Sequence, residues 1–107
     1  MTPEEFRALT RSKIRKLARQ GRLVDTAFKV FCDAVYPGAP QDQRTALRIA
    51  FFAGAQELHA LQMAAADEGD DVTEGDLEMY GQIAEEVERF HERTLRAMTA
   101  TGLGGSA

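Results

Sequence analysis

Residues 47–61 read LRIAFFAGAQELHAL, a nearly continuous apolar run with Gly54 at its centre, set in a segment whose alanine, leucine, glutamate and glutamine favour helix. On a helix of 3.6 residues per turn, Leu47, Ala50, Phe51, Gly54, Leu58 and Leu61 share one stripe, and Ala65 extends it. Ile49, Phe52 and Met63 fall on roughly the opposite side, with Ala53 and Ala60 beside them. A helix at the edge of a bundle needs one apolar stripe. A helix with two is sandwiched, either inside its own fold or against another chain. Gly54 costs about 1 kcal/mol of helix propensity relative to alanine, and its small neighbours lower the profile further, so the pattern predicts close approach by a helix or a bulky side chain. Core packing in a four-helix fold is the plainer reading. The functional reading is a homo-oligomer interface or ligand groove built from Ile49, Phe52, Gln56, His59 and Met63.

Working outward, the sequence predicts three further helices. The first opens at TPEE, with Thr2 as N-cap, Pro3 in the first turn and Glu5 completing a capping box. Phe6, Leu9, Ile14 and Leu17 share a face, and Gly21 is the expected stop. The second covers Leu23 to Val35, with Val24, Ala27, Phe28, Phe31, Cys32 and Val35 on a broad apolar face, and YPGAP (36–40) ends it. The long third segment runs from Gln41 to Ala66 and stops at the acidic loop DEGDD, residues 67–71. Thr73 and Asp76 then frame a variant capping box that starts a fourth amphipathic helix through Leu77, Tyr80, Ile83, Val87, Phe90 and Met98. The expected fold is all-α: a compact bundle of three to four helices, its third and fourth forming a long antiparallel hairpin. Residues 1–99 form one domain and the glycine-rich residues 100–107 a flexible tail.

Composition narrows the class. The chain has 107 residues, 44% hydrophobic and 28% charged, without tryptophan, which suits one small helical domain rather than disorder or a sheet. A lone Cys32 on an apolar face reads as a buried thiol and excludes a disulfide within the chain. No apolar run approaches a membrane span, and MTPEEFRALTRSK lacks the apolar core of a signal peptide. A cytoplasmic protein is expected, with no membrane partner.

Charge is divided along the chain. Residues 1–48 carry ten Lys or Arg against five acids, whereas residues 49–107 carry three Arg against twelve acids. Arg7, Arg11, Arg15 and Arg19 recur every four residues, and Arg22 extends their stripe. This surface could contact an anion or a phosphate backbone. It also lies opposite Phe6, Leu9 and Leu17, where a solvated face belongs, and it has neither interleaved aromatics nor helix-turn-helix spacing.

Chemistry has few other candidates. Glu88 and His91 have the E-x-x-H spacing of carboxylate-bridged metal bundles, with Glu57 as a further carboxylate, but the pair occurs once where those bundles need it twice. Asp67 to Glu78 has the span of a calcium loop, yet Gly69 and Val72 stand where a ligand and the turn glycine belong. Phosphate loops, dinucleotide fingerprints, nucleophile elbows and H-E-x-x-H are all missing. No cofactor, no metal and no enzymatic activity are expected.

The string RIAFFAGAQELHALQMAAADEGDDVTEGDLEMYGQIAEEVERF, residues 48–90, resembles small uncharacterised all-helical proteins of phages and prophages. AFFAGAQ and the TEGDLEMYGQIAEEVERF helix after an acidic loop carry the likeness, and GRLVDTAFKVF (21–31) is similar to the upstream part of that group. The resemblance implies an all-α phage-type protein in the host cytoplasm and no activity. Together with the second apolar face and the split charge, it leads to a non-enzymatic interaction protein. Such a protein self-associates, with a dimer favoured, and binds or inhibits a host macromolecule in a counter-defence or host-takeover role. The alternative is a nucleic-acid-associated regulator using the basic first helix.

Overall fold

In the computed structural model, which describes residues 1–101, four helices follow one another and no strand is found among the described residues. They are α1 (Pro3–Arg19), α2 (Leu23–Val35), α3 (Gln41–Ala65) and α4 (Glu74–Thr101). The all-helical expectation is met. The chain divides into two compact units, Met1–Ala55 and Gln56–Ala107. Of the tail expected at residues 100–107, Ala100 and Thr101 continue α4, and residues 102–107 lie outside the described part.

The first unit is punctuated by local chemistry. Thr2 accepts from the Glu5 N–H at 3.1 Å while the Glu5 carboxylate accepts from the Thr2 N–H at 3.4 Å, the expected capping box. At the other end of α1, the Arg22 N–H reaches the Leu17 carbonyl at 2.9 Å and the Gly21 N–H reaches that of Ala18 at 3.0 Å. This Schellman closure requires a left-handed residue, and Gly21 supplies it at φ 68°. The turn sets α1 in contact with α2. Only Leu17, in the last turn, becomes half-buried on α1, and Phe6, Leu9 and Ile14 remain exposed. The expected core face of α1 is therefore covered only where the turn brings α2 near.

Phe28 and Cys32, one turn apart on α2, are the buried apolar side chains of the described residues. Phe51 of α3 packs against Phe28 and its neighbour Phe31. Its ring centroid lies 5.5 Å from that of Phe28, edge-on, and 5.6 Å from that of Phe31. Such aromatic pairs contribute about 0.5–1.5 kcal/mol beyond the area they bury. Cys32 is the buried thiol the sequence suggests. Gly54 departs from expectation: a Cβ placed there meets nothing within 4 Å. The small-residue centre of α3 thus lies open, because the α2–α3 contact is made one turn earlier by a large ring.

The second unit is organised by Asp76. Its Oδ1 accepts from the Asp67 N–H at 2.8 Å and its Oδ2 from the Thr73 N–H at 3.1 Å, while its own N–H donates to the Thr73 hydroxyl oxygen at 3.1 Å. The Thr73 hydroxyl in turn donates to Asp67. The variant capping box is thus real, and it also ties down the far end of the loop after α3. Gly75 belongs to this knot, since a Cβ there would stand 3.2 Å from the Asp67 carboxylate. Asp76 is buried, and the Asp67 and Thr73 N–H groups hold its carboxyl below the ordinary aspartate value against the opposing effect of burial. A lowered native value means that this stabilisation is complete above the ordinary carboxylate pKa near 4 and is lost as pH falls through the native one. Helix content followed by circular dichroism against denaturant should show Thr73→Ala destabilising the second unit by about 1 kcal/mol. The deficit of Asp76→Asn relative to wild type should be full at pH 7 and shrink below about pH 4.

Candidate functional site: the groove between the second and third helices

On α3, Gln41, Arg44, Thr45, Arg48, Ile49 and Phe52 are spaced by threes and ones, so they line a single face. Asp25, Phe28 and Lys29 do the same on α2. Held side by side by Phe51, the two faces leave an open groove of about 440 Å³ whose walls are these nine residues. That volume falls within the range of ligand-binding clefts. The floor and one end are apolar through Phe28, Ile49 and Phe52, and the rim is cationic.

Asp25 organises that rim. Lys29 Nζ lies 3.1 Å from its Oδ2 and Arg48 Nη2 lies 3.0 Å from its Oδ1. The Arg48 contact is one of charge alone, because Oδ1 is shielded from solvent and accepts no hydrogen bond. Arg48 also stacks its guanidinium over the Phe52 ring, 5.0 Å from the centroid, a cation–π contact. At the other end, Arg44 Nη1 donates to Asp33 Oδ1 at 3.2 Å. The groove thus holds three cations and one carboxylate, with Asp33 outside its walls. A second cleft of about 580 Å³, lined by Ala18, Gly21, Arg22, Leu23 and Val24, shares Asp25, Arg48 and Phe52 with the first. These three side chains form the partition between the two clefts.

The interface residues read from the sequence fall into two sets. Ile49 and Phe52 meet in the groove, where Ile49 is 67% exposed and Phe52 half-buried beneath Arg48. Gln56, His59 and Met63 belong to the second unit and are all exposed, Met63 by 57%. The arginines of α1 stand on its outer face. Arg7 pairs with Glu4 at 3.6 Å, both exposed, and among the described residues no ion pair is formed by Arg11, Arg15 or Arg19. Arg22, the last of the basic set, lines the second cleft.

Sequence reading passes over the residues that give the groove its charge: Asp25, Lys29, Arg44 and Arg48. The signal exists in the i, i+4 pairs Asp25/Lys29 and Arg44/Arg48, each on the same face as a phenylalanine. What spacing within one helix does not show is that Asp25 and Arg48 meet. Among the described residues no cluster of three His, Cys, Asp or Glu is placed to hold a metal, and Glu88 and His91 are both exposed. No helix among them is long and apolar enough to cross a membrane.

Comparison with protein-family models, with curated proteins and with solved structures finds no match to this chain. Replacing Asp25 by Asn would leave Lys29 and Arg48 facing each other without a counter-charge. Discounted for their partial exposure, the loss should be about 1 kcal/mol in denaturant unfolding, and it should deepen at low salt as the two cations repel unscreened. A loss independent of ionic strength would show that Asp25 acts by packing instead.

Proposed function

We propose that this chain is a non-enzymatic interaction protein of phage or prophage type, which self-associates and uses the same kind of surface to bind, and thereby inhibit, a macromolecule of its host. The observation that carries this reading is the apolar surface its helices leave uncovered. Phe28 and Cys32 are buried, whereas Ile49, Met63, Val87 and Phe90 are each more than half exposed. Covering such side chains removes apolar area from water, and a chain of 107 residues gains proportionately more than a large one from such cover. In this reading α3 and α4 form the antiparallel hairpin of a compact bundle, the protein acts in the host cytoplasm, and it needs no cofactor. Light scattering on the full chain tests it. The expected result is a mass above the 11.8 kDa of one copy, falling toward it in Phe52→Asp, which places a carboxylate beside Ile49 on the groove wall. A mass of one copy at high concentration, unchanged by Phe52→Asp, would remove self-association.

A second reading is a nucleic-acid-associated regulator. It is favoured by one observation, that Arg11, Arg15 and Arg19 stand on one exposed face of α1 with no acidic partner among the described residues. Retention on DNA or RNA at low salt should then fall steeply as salt rises and weaken when Arg11 and Arg15 are replaced by Gln. No retention at low ionic strength would end that reading.

A further inference from the structure

We propose that α1 lies flat on an anionic phospholipid bilayer, with Phe6, Leu9 and Ile14 at the boundary of the acyl chains and its neighbouring cations at the lipid phosphates. The proposal stands apart from the self-association above, which uses α3.

Its own unit leaves α1 almost bare. The helix meets α2 near its last turn, where Leu17 is half-buried, and every other residue of α1 is exposed. Phe6 is 61% exposed, Leu9 44% and Ile14 45%. These three share a face with Leu17, which leads into the turn at Gly21. Helices in proteins owe most of their stability to the packing of such a face. Along α1 that packing is made at one end alone, and the stretch from Phe6 to Ile14 is left without it.

Charge limits what can cover this stretch. α1 carries six Lys or Arg against two acids, and residues 1–55 as a whole carry ten against five. Arg7 and Lys16 border the apolar face on its two sides, the height at which phosphates stand beside a half-sunk helix. Glu4 and Glu5 lie in the opposite half of the cylinder, in the first turn. Among the described residues Lys16 forms no ion pair, and Arg7 forms one with the exposed Glu4. An amphipathic helix of low mean hydropathy with cations along its apolar edge suits the surface of an anionic membrane.

Lys13 decides between lipid and protein. It falls on the apolar face itself, four residues after Leu9 and seven after Phe6, and it too forms no ion pair among the described residues. A protein helix packed there would bury the ammonium, and lysine is depleted from the centres of such interfaces. A bilayer accepts it, because the stem lies along the acyl chains while the ammonium rises to the phosphates. Nucleic acid fits less well: its phosphates would take the arginine face and leave Phe6, Leu9 and Ile14 in water. No described helix is long and apolar enough to cross a membrane, but a helix in the plane of the interface crosses nothing. The expectation of no membrane partner then holds for spanning alone.

The chain has no tryptophan, so one introduced indole reports its own surroundings. The full chain is prepared as Phe6→Trp, on the apolar face, and as Ala8→Trp, almost opposite it. Each is titrated with vesicles of phosphatidylcholine and with vesicles of equal parts phosphatidylcholine and phosphatidylglycerol, and circular dichroism checks the helix. Anionic vesicles should move the Phe6→Trp emission to the blue and leave that of Ala8→Trp in place. Neutral vesicles, or raised salt, should demand at least about tenfold more lipid for the same shift. Adding Lys13→Gln/Lys16→Gln to Phe6→Trp should do likewise with anionic vesicles. Ile14→Trp takes the place of Phe6→Trp if that variant loses helix. Absence of a shift with anionic vesicles at low salt overturns the proposal, and so does an equal shift of Ala8→Trp. Phe6→Trp emission that is already blue before lipid is added shows a protein cover and overturns it. Duplex DNA that binds where anionic vesicles do not also overturns it, and gives α1 to the nucleic-acid reading.

Discussion

Phe51 is where the third helix is fastened to the second. Its ring meets Phe28 and Phe31, and without that wedge the two helices would lose their main apolar contact. The rest of the first unit obeys geometry: once one large side chain fixes the spacing of two helices, their next faces round the cylinder must flare into a groove. The open space at Gly54 and the occupied space at Phe51 are two results of the same spacing. A helix pair is held by its bulkiest contact and stays loose where side chains are small.

Electrostatics then decides what sort of groove this is. Asp25 is shared between Lys29 and Arg48, so one carboxylate holds two cations at the rim without neutralising both. Arg48 is further placed by the Phe52 ring, and a guanidinium that stacks while it pairs loses less freedom on meeting a second anion than a free side chain would. Such a rim is poised to take further negative charge. Each ion pair is partly solvated and individually weak. Their value is in fixed position more than in stability.

Helix ends are legible in the sequence because the groups that make them are close in sequence. Thr2 with Glu5, Gly21, the prolines of residues 36–40, and Thr73 with Asp76 all act within a few residues of one another, and α2 runs from Leu23 to Val35 as the pattern implies. The role of Cys32 is legible for a similar reason, since it lies one turn from Phe28 on one stripe. Gly54 misleads because a helical wheel shows which residues share a face and never whether anything covers that face. The groove escapes notice for a related cause. Asp25 and Arg48 are distant in sequence, and their contact depends on a spacing set by Phe51.

The knot around Asp76 has a consequence for how this chain can vary. Its bonds run from the two ends of the loop, Asp67 and Thr73, into the first turn of α4, and no side chain from Glu68 to Val72 joins them. The ends are clamped while the five residues between them are free to change length. Doubling such a span costs only about 0.6 kcal/mol of closure entropy. This loop is therefore a natural point of insertion, a place where a peptide could be grafted and displayed while the helices on either side keep their starting and stopping points.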